Sequence, residues 1–293
     1  MRKKEMFYKI LAYFGGALSF FLVGFLFAYI FYKGYKVINF KFLTDVPQGM
    51  ILGQEGGIAP AIIGSFLSTF IACLVAGFFG IFTSIYLVFY EENEKRIELI
   101  ENIIKCIGGI PSIVFGLFGY TLFTLYFGLG KSIISGGLTL GIMIFPVVEI
   151  RIEKAFREVE KEILNASYSM GISKFYTIYK IVIPTCLRDI VATILLGYNY
   201  AIGATAPIMF CMAVINSPIS FTISKPGMSL SYHLYTLMTQ GISMEMAYGT
   251  AFVLISLIVF VTVVFQFLLR KKGENIEWEY SWDKRFFSEL WEK

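Results

Sequence analysis

Four cysteines and one histidine are the natural components of a metal or nucleophilic centre, and their spacing gives neither. Cys73, Cys106, Cys186 and Cys211 lie in or beside apolar runs with no CxxC pair, so they read as small buried residues. His233 stands alone; a histidine metal site needs further ligands, and a solvated loop position is expected for it. Gly128-Leu129-Gly130-Lys131-Ser132 echoes the end of a P-loop, but Leu125 stands where that motif needs glycine and the segment falls between apolar runs rather than between a strand and a helix. No His, Asp or Glu cluster and no Ser-His arrangement supports catalysis. The chain is therefore read as non-catalytic, with no metal and no cofactor. What remains is a polar stretch from Asn165 to Pro184 and a few polar residues inside apolar runs, among them Ser65, Ser68, Thr69, Thr83, Ser84, Ser112, Asn199 and Thr205. A lone Ser or Thr in such a run usually bonds to its own helix backbone.

The elements that must position these residues are membrane spans. Of 293 residues, 57% are hydrophobic and 16% charged, with 30 Phe and 18 Tyr, a composition that excludes a soluble domain. An all-α polytopic protein with six transmembrane helices is expected, near 10–32, 60–88, 107–128, 132–150, 188–212 and 246–269. The run from Ile58 to Tyr90 would be about 50 Å long as a helix and must tilt or project. Residues 1–57 read as an uncleaved signal-anchor helix with an outside loop, 58–270 as the transmembrane core, and 271–293 as a cytoplasmic tail with Trp278, Trp282 and Trp291. Pro47-Gln48-Gly49 and Gly56-Gly57 are turn chemistry in the outside loop. The more polar segment 215–245 is expected to carry a short helix on the outer face. Small residues four apart, at Ala72, Ala76 and Gly80 and at Gly137 and Gly141, suit close helix packing.

The net charge of +4 does not point to nucleic acid, because the basic residues flank apolar runs instead of forming one face. With the N-terminus inside, 20 of the 25 Lys and Arg fall in the segments 2–9, 91–105 and 149–188 and the tail. The positive-inside rule then places both termini in the cytoplasm. No charged residue is expected at mid-membrane.

The inside loop of about 152–184 carries Val159, Ile163, Ala166 and Met170 at i, i+4, i+7 and i+11, an apolar stripe on one helix face. Gly171 is expected to end that helix in the left-handed conformation, and Pro184 to break the chain before it re-enters the membrane. On these residues alone the helix could lie on headgroups or dock in a partner's groove.

Spacing favours docking. Asn165, Ala166, Ser167, Gly171, Ile181, Ile183 and Pro184 stand in register with the Glu-Ala-Ala loop of ABC importer permeases, with Asn for Glu, Ser for Ala and Ile for Leu. Three further segments, Gly56–Gly64, Gly109–Gly119 and Ala201-Ile202-Gly203-Ala204-Thr205-Ala206-Pro207, resemble phosphate-importer permeases of the PstA type. That family usually has Glu where Ala204 stands and Arg where Tyr200 stands, charges thought to line an anion path.

The resemblance implies a type I ABC importer permease (MetI-like) fold in a prokaryotic cell (inner) membrane. It implies ATPase coupling through Asn165, Ala166, Ser167, Met170, Gly171 and Pro184, and a path past Ser112, Asn199, Gly203, Thr205 and Pro207. It further implies a homologous PstC-type permease, two copies of an ATP-binding subunit and an outside phosphate-binding protein as partners, with inorganic phosphate as solute. Another oxyanion or small solute is the alternative. An ion-coupled secondary transporter would need an ionisable mid-membrane group or broken helices.

Overall fold

The computed structural model describes residues 2–49, 53–214 and 221–291, with side chains described between residues 6 and 267 of that set. Apart from an antiparallel pairing of β1 (Pro47–Gln48) with β2 (Glu55–Gly56), the regular elements described are helical. They are α1 (Arg2–Gly34), α2 (Phe40–Thr44), α3 (Ala59–Ile85), α4 (Glu94–Gly108), α5 (Ser112–Gly119), α6 (Ile133–Arg157), α7 (Lys161–Ser169), α8 (Lys174–Thr177), α9 (Ile183–Ile202), α10 (Ala206–Cys211), α11 (Leu230–Thr239) and α12 (Met244–Trp291). Wider π-helical turns follow α3 (Tyr86–Tyr90), α5 (Tyr120–Tyr126) and α8 (Ile178–Val182).

The core is the contact of α3 with α6, and small residues set its closeness. A Cβ at Gly137 would lie 2.7 Å from Ile71 Cβ and 3.0 Å from Ser68 O, and one at Gly141 would lie 2.9 Å from Val75 Cβ. Ala72 and Ala76 are fully buried opposite. In a bilayer, where burial of apolar surface drives little, such close van der Waals contact holds helices together. α9 completes the triangle, with Gly197 against Val148 and Gly77 against Ile194. A second apolar cluster, including Phe42, Ile58, Met228, Leu230 and Leu237, joins α2, the start of α3, α11 and α12 at the opposite end from α7. There Ser65 Oγ accepts from Leu230 N at 2.8 Å.

Among the described residues, five helices are long and apolar enough to span: Met6–Gly34, Ala59–Tyr90, Ile133–Arg157, Lys174–Ile202 and Met244–Phe267. The expected third span, 107–128, is not one helix. α4 and α5 meet at 96°, because Pro111 has no N–H to continue the ladder and disfavours helix at the residue before it. Ser112–Tyr126, two segments of 8 and 7 residues, reaches only about 22 Å. The expected fifth span, 188–212, is shifted: the helix starts at Lys174 and stops at Ile202, and α10 is separate. Continuation would bring the Pro207 ring against the Gly203 carbonyl. Pro184, expected to break the chain, sits at the start of α9 with no break. The Ile183 N–H reaches back five residues to Ile178 O, and that wider turn accommodates the proline ring.

Three further expectations are corrected. α6 runs on to Arg157, so Glu149, fully buried, lies on a spanning helix. Its neighbour across the interface is Ser84, whose Oγ donates to Glu149 O at 3.2 Å. Cys106 is exposed and Cys73 half-buried, while Cys186 and Cys211 are buried as expected. His233 is 2% exposed, not solvated; its Nδ1 lies 3.2 Å from Thr250 Oγ1. Of the segment 215–245, residues 215–220, with Pro218, lie outside the described residues, and the expected outer helix is α11.

Two outcomes follow. Gly137→Val forces a β-branched side chain onto Ile71 and should cost about 1–3 kcal/mol or more. Gly15→Ala, with nothing within 4 Å, should be neutral or better; thermal unfolding in detergent separates them. Burial lowers the His233 pKa from 6.5 to about 4, so the folded state keeps it neutral while the unfolded chain takes a proton below pH 6.5. Stability present above that pH is lost as pH falls toward 4, about 2 kcal/mol by pH 5. His233→Gln should flatten this part of the pH profile of unfolding.

Candidate functional site

The loop between α6 and α9 is folded on its own terms. α7 ends in a Schellman arrangement: Ile172 N donates to Ser167 O at 3.3 Å and Gly171 N to Tyr168 O at 3.0 Å. Gly171 has φ +73°, a conformation that glycine adopts without strain. Ser173 caps α8, its Oγ accepting from Tyr176 N at 3.4 Å. Ser167 and Thr177, both buried, join α7 to α8 through hydroxyls 2.7 Å apart. Val159, Ile178 and Val182 anchor the loop in the main core, with Leu164 packed against it.

The apolar stripe expected on this helix is therefore rephased. Val159 precedes α7 and is buried; Ser167, not Ala166 or Met170, is the buried residue of the helix end. Asn165, Ala166, Met170 and Gly171 are exposed, as is Pro184 on α9. With Ser167 turned inward, its part is to hold the loop. The outward face instead carries Tyr168, Met170, Phe175, Tyr176 and Tyr179, of which Phe175 is 72% exposed. Phe175 and Tyr179 stack at 6.3 Å, and Lys174 Nζ sits 5.2 Å from the Tyr90 ring. Phe175 and Tyr179, four residues apart beyond Gly171, were the signal in the sequence for this face.

Beside the loop, α4 is tied to the end of α6. Arg157 bonds Glu153 Oε1 at 2.6 Å and Glu101 Oε1 at 3.2 Å, and Lys105 bonds Glu101 at 2.9 Å. These groups border a cavity of about 320 Å³ that Glu149 also lines.

The second candidate region is the break between α9 and α10. Gly203 ends α9 exposed, with Ala204 N bonded to Ala201 O at 3.1 Å. Ser231 Oγ donates to Ala204 O at 3.0 Å, tying the break to α11. α5 packs on α10, a Cβ at Gly116 falling 3.0 Å from Ala206 O, so Ser112, one turn earlier and exposed, lies on the neighbouring element to half-buried Thr205. Asn199 points elsewhere: its Nδ2 donates to Thr262 Oγ1 of α12 at 3.0 Å. Pro207 is buried and serves the break itself. Tyr200 is 54% exposed, and residues 190–213 include no charged side chain. The region can offer hydroxyls and backbone groups to a solute, not a compensating charge.

Residues 78–273 match the family described as binding-protein-dependent transport system inner membrane component. The chain is similar to the probable ABC transporter permease protein YqgI of Bacillus subtilis, 29% identical over 82% of this chain and 86% of that protein. It is also similar to the phosphate transport system permease protein PstA 2 of Mycobacterium bovis, 31% identical over 77% of this chain and 73% of that protein. Among solved structures, an inward-facing chain of the MetNI methionine ABC transporter shares the fold, with a TM-score of 0.60 at 15% identity over 71% of this chain and 92% of that one.

The loop geometry makes its own prediction. Gly171→Val places a β-branched residue at positive φ, a strain of about 1–2 kcal/mol, so the hydrogen-bonded Ile172 amide should exchange about tenfold faster. Unchanged exchange there would show that the turn does not depend on Gly171.

Proposed function

The chain belongs to the family of binding-protein-dependent transport system inner membrane components, and from that premise we propose that it forms half of the translocation path of an ATP-driven phosphate importer. The outward aromatic face on the α7–α8 loop carries this reading. It is a compact apolar surface at the end of the spans, fixed from behind by Ser167–Thr177 and by the buried Val159 and Ile178, and so suited to a groove on an ATP-binding subunit. In this reading Asn165, Ala166 and Met170 meet that partner, Gly171 sets the exit angle, and Pro184 starts the span behind it. Both termini and this loop lie in the cytoplasm, and the α11 end faces an outside binding protein.

Mechanically, α8, its π turn and α9 form one run from Lys174 to Ile202. Movement of the loop when the ATPase pair closes is thus delivered along α9 to the break at Gly203, beside Ser112 and Thr205. Alternating access is a shift of population between inward and outward states. Phosphate is supported by the similarity to the named phosphate permeases. Because Tyr200 and Ala204 leave this half of the path uncharged, the positive potential that offsets anion dehydration comes from a homologous PstC-type permease. The tail, residues 271–293, is assigned to the cytoplasmic side.

Phe175→Ala/Tyr179→Ala should cut co-purification of the ATP-binding subunit at least tenfold, since buried aromatic anchors dominate such interfaces, while membrane insertion is unchanged. Tyr200→Phe and Ala204→Ser should leave phosphate uptake within about twofold. Normal co-purification of the double variant would refute the docking surface. ATP-driven uptake of a neutral solute but not of phosphate would refute the substrate alone.

A further inference from the structure

We propose that the cleft where α1 meets α12, at the end of the bundle opposite the α7–α8 loop, is a binding site for the phosphate headgroup of an anionic phospholipid. The two helices approach closely there. A Cβ at Gly34 would lie 2.7 Å from Gly249 N and from the Tyr248 carbonyl carbon, and one at Gly249 would lie 2.6 Å from Val37 Cγ2. Tyr29 meets Tyr248 edge-on at 5.8 Å, and Phe31 meets Phe252 at 5.0 Å. The junction is therefore fixed by backbone contact and ring packing, and the cavity beside it is part of the fold. Its volume is about 370 Å³, within the range of roughly 300–1,000 Å³ common for small-ligand sites.

The lining suits one chemistry. Lys33 and Lys36 project there with Glu245 as the acidic member, beside the phenols of Tyr32, Tyr35 and Tyr248. Among the described residues neither lysine has a carboxylate within 4.0 Å; Lys33 Nζ lies 5.9 Å from the Tyr29 ring. Two cations against one anion leave a surplus positive charge, and Tyr32 and Tyr35 supply hydrogen-bond donors around it. The depth is equally specific. The spanning segments Met6–Gly34 and Met244–Phe267 both end at this cleft, which puts it at the level of the headgroups, where Lys and Tyr anchor to phosphates. Below it, Phe25, Phe31, Val259 and Phe260 are exposed on the same two helices, a surface for acyl chains. An acidic protein partner would use the lysines but would have no use for the apolar flank beneath them.

The experiment is native mass spectrometry of the purified transport complex in detergent, titrated with phosphatidylglycerol or with phosphatidylcholine of the same acyl chains. The wild type should bind phosphatidylglycerol about tenfold more tightly, on the scale of two lysines near a lipid surface. Lys33→Gln/Lys36→Gln should abolish the preference, and Lys33→Arg/Lys36→Arg should retain it. Equal binding of the two lipids by the wild type would overturn the proposal, as would a preference surviving in the Gln variant. If the wild type shows no preference and the Gln variant instead loses stimulation of ATP hydrolysis by the binding protein, the lysines serve a protein partner and the proposal fails. The readout needs no transport, so it stands apart from the identity of the solute.

Discussion

The close approach of α3 to α6 is the constraint on which the rest of the structure rests. Only at glycine separations can Ile71 and Val75 seat against Gly137 and Gly141, and α6 so fixed carries both candidate regions. Its first half holds α10, through Ser132 N bonded to Cys211 O at 3.0 Å and Thr139 Oγ1 bonded to Cys211 Sγ at 3.4 Å. Its far end leads into the loop through Phe156 and Val159, both in the same core. A bilayer offers no hydrophobic drive to hold such parts in place, so contact distance takes over that role.

Rigidity in this frame is unevenly distributed, and the distribution matches the proposed work. The long run Lys174–Ile202 is a continuous strut, whereas its far end is interrupted twice in quick succession, by Gly203 and by the proline at 207. Backbone irregularity at membrane depth is tolerated where protein buries it. Here Ser231 supplies a hydrogen bond to the freed Ala204 carbonyl and α5 covers α10 through Gly116. The break also carries no charged side chain between residues 190 and 213, so in the proposed function it would offer a passing anion hydroxyls and backbone groups only.

Much of this was legible in the residues. Hydropathy placed four of the spans to within their ends, the small-residue spacing marked the α3–α6 contact, and Gly171 was readable as a left-handed cap because its type and position leave few other roles. The failures have physical causes. The bend at Pro111 and the stop before Pro207 were hidden inside apolar runs, where hydropathy averages over a proline that the backbone cannot ignore. Pro184 erred the other way, since a π turn accommodates it and nothing in composition signals a π turn. Ser167 and His233 are polar residues buried by hydrogen bonds to Thr177 and Thr250, tertiary partners that no periodicity reveals. The aromatic face of the loop lies outside the periodicity of α7, because Phe175, Tyr176 and Tyr179 follow its end.

The central claim is that the loop drives the break, and cysteine accessibility measures it directly. Thr205→Cys, in a complex whose exposed Cys106 is replaced by Ser, would be labelled with a water-soluble maleimide with and without ATP. The account predicts that ATP changes the labelling rate severalfold and that Gly171→Val removes the change while leaving the basal rate intact. Identical labelling with and without ATP, in a complex that hydrolyses it, would contradict the coupling of the α7–α8 loop to the α9–α10 break.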